Sequence, residues 1–248
     1  MTKWVTNFRI EPSLKDLKDL GMHEFEYQGN KIKFKKHTAD ESDLEILADS
    51  PDKAEESIKY FLGVLGLSTK NQYSYKFISS KELINGIQTD GIVDRAIIGR
   101  IQILDTIKEK DKEFLEYITN SIHEISKEES RKRIKISIQL IHNAMNSYTS
   151  EQAILTAWTA THYLASHIAH GTSSSCSEAI SIERFLNKGI INENEKTKKV
   201  ELKEKLKRFH KARSDSLWGA KEKTMDQKEA LEIFKEFLEA YIQYNKTT

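Results

Sequence analysis

The segment from Lys207 to Gly219, KRFHKARSDSLWG, gathers the side chains of this chain best suited to act on a phosphate. The guanidinium of Arg213 stays charged at any physiological pH, and its planar fork matches phosphate oxygens. His210 stands one helical turn earlier and carries an imidazole, which can give or take a proton near neutrality. Lys207, Arg208 and Lys211 add positive charge, Ser214 adds a hydroxyl, and Trp218 adds an indole whose face can stack on a base. Indole donates one hydrogen bond and does not titrate. The segment therefore offers cationic contact and stacking, with a single candidate for proton transfer.

Each of these residues has a second reading. Leu202, Leu206, Phe209 and Arg213 recur at helical spacing, with Leu217 continuing the line, so Arg213 lies on an apolar stripe. A charge there is costly unless an anion or a carboxylate meets it. It either contacts phosphate or pairs with an acid from a neighbouring helix. His210 is either a substitute base or a surface histidine on a basic helix. Trp218 is either a platform for a base or a tryptophan of the core or of a subunit interface.

The helix that must carry these residues is strongly basic. Between Lys196 and Arg213 there are nine Lys/Arg and two acids, Glu201 and Glu204. Such a run suits phosphates or forms a solvated face. The whole chain has a net charge of only +1, which argues against a general polyanion binder. The eight acids between Asp40 and Glu56, set against Lys53, read as solvated surface. With 248 residues, 38% hydrophobic and 31% charged, the composition predicts a soluble, helix-rich protein of one large or two small domains. No apolar run reaches the ~18 residues of a membrane span. Residues Met1 to Val5 hold no apolar stretch of signal-peptide length, and Cys176 is the single cysteine, so a cytoplasmic location without disulfides is expected.

Ahead of the basic helix the chain changes character. Phe25 to Phe34 alternates around Gly29-Asn30 and predicts a β-hairpin. Asp52 to Leu67, with Ala54, Ile58, Phe61 and Leu65 in phase and Pro51 near its start, predicts a helix, and Tyr73 to Ile78 a strand. From about Asp94 the pattern is helical. Ile97, Ile101 and Leu104 form one stripe and Leu115, Ile118, Ile122 and Ile125 another, with a bend or exposed stretch expected over the charged run Lys108 to Glu113. Further helices are expected over Arg131–Ser147, Ser150–His170 (inward face Ile154, Trp158, Thr161, Ala165, Ile168), Ser177–Asn187, Thr197–Leu217 and about Asp226 to Tyr244. Gly171 to Ser175 reads as a loop and Gly219 as a helix C-cap. The fold class expected is α+β. A mixed α/β region, residues 1–105, is followed by an all-α bundle, residues 106–248 with its core at 130–248, and the boundary falls loosely between 90 and 130.

Three features of the C-terminal half resemble a HEPN domain, the helical bundle of many prokaryotic RNases and toxins. Its layout is closest to the Apea-like branch. Glu151-Gln152-Ala153-Ile154-Leu155-Thr156-Ala157-Trp158-Thr159-Ala160-Thr161-His162 resembles that branch's Trp-bearing helix. Phe209 to Gly219 resembles its "y-x-x-R-N-x-[IV]-x-H-G" segment, and an amphipathic helix follows at the expected distance. The N-terminal region resembles, more loosely, the accessory domain that precedes such bundles. RNases of the family use an R-x4-6-H motif at a dimer interface, without metal or cofactor, and leave a 2′,3′-cyclic phosphate. Here Arg213 matches the motif arginine, Ser214 stands for the usual Asn/Asp/His, and Trp218 stands where the histidine would be. No other arginine has a histidine at the required spacing.

The resemblance thus implies a homodimeric protein of defence or toxin type with a degenerate RNase centre. It would bind RNA, a nucleotide or a partner such as a cognate antitoxin through Arg213, with Trp218, Lys211, Arg208, Lys207 and Ser214 around it. One alternative is an active metal-independent endoribonuclease using Arg213 and His210. Another is a structural dimerising adaptor.

Other constellations are weaker. His162, His167, His170 and Cys176 lack the tight paired spacings of structural zinc, so no metal is expected. His162, near the position of a glutamate in the resembled helix, either completes a polar pocket with Arg213 or is a partly buried core histidine. Gly63-x-x-Gly66 lacks the Lys-Ser/Thr of a P-loop.

Overall fold

The computed structural model describes residues 3–27, 29–84, 87–89, 106–170, 184, 186–187, 196–218 and 225–247. The chain forms two compact units, Met1–Thr119 and Asn120–Thr248. The fold is α+β, an antiparallel sheet with helices followed by a helical unit.

Among the described residues the first unit holds six strands: β1 (Lys3–Glu11), β2 (Glu24–Tyr27), β3 (Asn30–His37), β4 (Ser42–Ala48), β5 (Ser74–Ile84) and β6 (Ile87–Thr89). Their order is β2-β3-β4-β1-β5-β6, each antiparallel to its neighbour. The expected hairpin is β2–β3, with Tyr27 opposite Asn30 and Gly29 in the left-handed region at φ 74°. A left-handed turn suits glycine, which has no Cβ to clash. The acidic run from Asp40 hides β4, a strand within the sheet. Ser42, Leu44, Ile46 and Ala48 point inward and are buried, while Asp43 and Glu45 sit on the other face. Period-2 alternation thus puts the acids outside a fully formed strand. Arg9 of the neighbouring β1 donates to Asp43 across the pair at 2.9 Å.

A short helix, α1 (Lys15–Asp19), follows β1, and α2 (Pro51–Thr69) packs on the sheet. Ser50 caps α2 by accepting from the Lys53 N–H at 3.2 Å, and Pro51 opens it, where the missing N–H costs nothing. Ala54, Ile58, Phe61 and Leu65 are buried as expected. Tyr60 of α2 stacks on Tyr27 at 3.9 Å, and Phe61 meets Phe25 at 5.3 Å. Helix α3 (Glu109–Glu124) begins inside the charged run Lys108–Glu113. The run stays exposed except for Asp111, which is buried, and Lys112, which is half-buried and donates to the Leu20 carbonyl at 3.0 Å. Asp111 accepts from the Lys108 N–H at 2.9 Å and from the Ser68 hydroxyl at 2.7 Å. A carboxylate reaching back to the first free N–H of its helix starts that helix cleanly.

The second unit contains α4 (Glu128–Met145), α5 (Ser150–His170), α6 (Lys196–Trp218) and α7 (Gln227–Thr247). Helix α5 packs against α4, α6 and α7. Its expected inward residues Ile154, Trp158, Thr161, Ala165 and Ile168 are all buried. A second buried line, Ala153, Ala157, Ala160 and Leu164, lies beside them. These small residues let α4 approach closely enough for the Ser137 hydroxyl to donate to the Ala160 carbonyl at 3.2 Å. Two polar ties fix α4. Ser130 donates to Asn245 of α7 at 2.7 Å, and Arg133 donates to the Tyr163 carbonyl at 2.7 Å while lying over the Tyr163 ring. The stripe Ile97, Ile101 and Leu104, the loop Gly171–Ser175, Cys176 and the proposed cap Gly219 lie outside the described residues, as does most of Ser177–Asn187, of which Arg184, Leu186 and Asn187 are helical.

Candidate nucleic-acid interface

Helix α6 carries every residue singled out for RNA chemistry. It is seated through Leu202, Leu206, Phe209 and Ala212, all buried. The anchor is Trp158 of α5. Phe209 meets it edge-to-face at 5.3 Å and 82°, and the His210 ring lies 5.2 Å from it at 55°. His210 is therefore half-buried and held against an aromatic face, not a freely solvated histidine.

The apolar stripe does not continue as the spacing suggested. Past Phe209 the buried position is Ala212, Arg213 is half-buried, and Leu217 is 50% exposed. The last turn of α6 extends beyond what covers the earlier turns. Trp218, at its end, is 87% exposed and so does not belong to the core of this chain.

The helix runs unbroken from Lys196 to Trp218, so ideal geometry sets how its side chains are distributed. At about 100° per residue, Trp218 lies about 140° around the axis from Arg213, and Lys211 about 160°. Arg213 and Trp218 thus face apart within one chain. Lys207, Lys211 and Trp218 share a face, since seven and eleven residues are close to whole numbers of turns. Val200, also exposed, lies on the same line.

The cations on this helix differ in their company. Arg208 pairs with Glu229 of α7 at 2.7 Å, Lys205 with Glu236 at 2.6 Å, and Lys207 with Glu204 at 2.7 Å. Exposed pairs of this kind are worth ~0–1 kcal/mol, so a phosphate can replace the carboxylate at little cost. Lys211 is exposed and pairs with no described carboxylate. The Ser214 hydroxyl donates back to the His210 carbonyl at 3.1 Å, satisfying itself within the helix. His162 is half-buried on α5.

Among the described residues no group of three or more His, Cys, Asp or Glu could hold a metal ion. Cys176 and the side chains of His167 and His170 lie outside them. Among the described residues no helix is long and apolar enough to cross a membrane.

In class the chain is an α+β protein whose second unit is a helical assembly presenting a basic, aromatic-tipped helix. Comparison with protein-family models, with curated proteins and with solved structures gave no match in any of the three.

Proposed function

We propose that this is a HEPN-like protein of prokaryotic defence or toxin type whose nuclease centre is degenerate, and that it binds RNA through α6 without cutting it. The carrying observation is Trp218, an indole 87% exposed at the end of a continuous helix, at the position where the resembled motif has its histidine. Cleavage by the resembled route needs a titratable group beside the arginine. Position 218 supplies an indole that cannot move a proton. What remains is a set of contacts suited to binding. Arg213 and the exchangeable cations Lys207, Arg208 and Lys211 meet phosphates, Trp218 meets a base, and Ser214 sits between them. The resemblance adds a homodimer as the working form and a defence or antitoxin protein as a further partner.

The test is purified protein with labelled RNA in EDTA, beside Arg213→Ala, followed for both cleavage and retention on filters across a salt series. Intact RNA and binding that weakens steeply with salt are expected, because phosphate contacts release counterions. Cleavage that disappears in Arg213→Ala would replace this reading with an active nuclease in which His210 moves the proton. Absence of RNA binding at low salt would leave the dimerising adaptor.

A further inference from the structure

Resting on the RNA-binding reading above, the geometry points to an unpaired strand as the ligand, running along the outer face of α6 with one base stacked on Trp218 and its phosphates on Lys211 and Lys207. Lys211 lies seven residues before Trp218, about 10 Å along the axis, and Lys207 eleven residues before it, about 16 Å. Both lysines are exposed on the face that carries the indole. Glu204 on the same face pairs with Lys207 at 2.7 Å, an exposed ion pair that a phosphate can displace, so two lysines can track a backbone while the ring takes a base, the combination that single-strand binders use. A duplex keeps its base faces stacked internally, so its phosphates can use the lysines but no base face is free for the indole.

Two other occupants fit this face less well. A second copy docked on it about a two-fold axis at Lys211 would set that lysine against its own counterpart, like charge against like, with Glu204 already engaged by Lys207. A lipid surface needs a broad apolar face, and the apolar face of α6 (Leu202, Leu206, Phe209, Ala212) is already buried in the helical unit.

The experiment measures binding of a poly-uridine oligonucleotide and of a blunt RNA duplex by fluorescence anisotropy, together with intrinsic tryptophan emission. Wild type should prefer the unpaired strand and show quenching on binding. Trp218→Ala should weaken strand binding roughly 5- to 150-fold and leave duplex binding nearly unchanged. Trp218→Phe should keep most of the affinity but lose the quenching, since a phenyl ring still stacks, Trp158 is buried and Trp4 lies on β1, away from α6 in sequence and unit. Lys211→Glu should lower affinity for both ligands and reduce the salt slope by about 0.7 or more for the strand. Equal affinity of wild type for strand and duplex, or undiminished strand binding by Trp218→Ala, overturns the inference. If strand binding survives Trp218→Ala and Lys211→Glu but falls in Arg213→Ala, the outer face is wrong while RNA binding through Arg213 stands. If wild type binds neither RNA, both readings fall.

Discussion

Trp158 and Trp218 should respond very unequally to the same truncation, and the difference follows from how each is covered. Trp158 is 2% exposed and lies against Phe209 and His210. Replacing it with alanine empties the seat of α6, and buried Trp→Ala changes cost about 3–5 kcal/mol. Of that, the edge-to-face contact with Phe209 accounts for ~0.5–1.5 kcal/mol. Trp218 is 87% exposed, leaving about 13% of its surface covered. A tryptophan presents at most ~250 Å², so roughly 30 Å² is at stake, or about 0.8 kcal/mol at ~25 cal/mol per Å². Urea unfolding followed by far-UV circular dichroism, run at two protein concentrations, measures both. Trp158→Ala should shift the transition of the helical unit strongly, and Trp218→Ala by less than about 1 kcal/mol at either concentration. A loss in Trp218→Ala as large as that in Trp158→Ala would refute the reasoning. If that loss also grew with protein concentration, the indole would be buried between copies of the chain and unable to take a base.

Two further outcomes bear on each unit separately. Ser130→Ala leaves the buried Asn245 carbonyl oxygen without its 2.7 Å donor, so destabilisation of about 1–3 kcal/mol is expected by urea unfolding, with part of it recovered in Ser130→Ala/Asn245→Leu, which removes the stranded acceptor. In the sheet unit, burial, with Lys18 nearby, lowers the pKa of His37, against weaker opposing effects of Asp19 and Asp43. The ring lies on Phe34, and its Nδ1 is 2.7 Å from the Ser42 hydroxyl. Protonation is then harder in the folded than in the unfolded chain, so His37 makes stability fall as pH drops below the usual imidazole value of about 6.5. Urea midpoints across that window should decline in wild type and flatten in His37→Gln. An unchanged slope would show that other groups set it.

Local pattern carried a good part of this structure. The 3.6-residue spacing of Ala54, Ile58, Phe61 and Leu65, and of Ile154, Trp158, Thr161, Ala165 and Ile168, placed α2 and α5 and their inward faces, because an amphipathic helix must bury its apolar side. Gly29 placed the β2–β3 connection, because few residues accept a left-handed turn geometry, although Asn30 proves to be the first residue of β3, opposite Tyr27. The basic segment and the types of Arg213, His210 and Trp218 were also legible, since chemistry is fixed by residue identity. Strand β4 was not, because its acids obscured the alternation of Ser42, Leu44, Ile46 and Ala48, and only pairing with β1 and β3 makes that segment a strand. The second buried line of α5 was also hidden, since alanines become core only when neighbouring helices close on both sides. Above all, spacing alone carried the α6 stripe through Arg213 to Leu217, whereas tertiary packing ends it near Ala212. Exposure depends on what lies opposite, and no helical period encodes where a neighbour stops. That difference puts the Trp218 indole in solvent, on the lysine-bearing face of its helix.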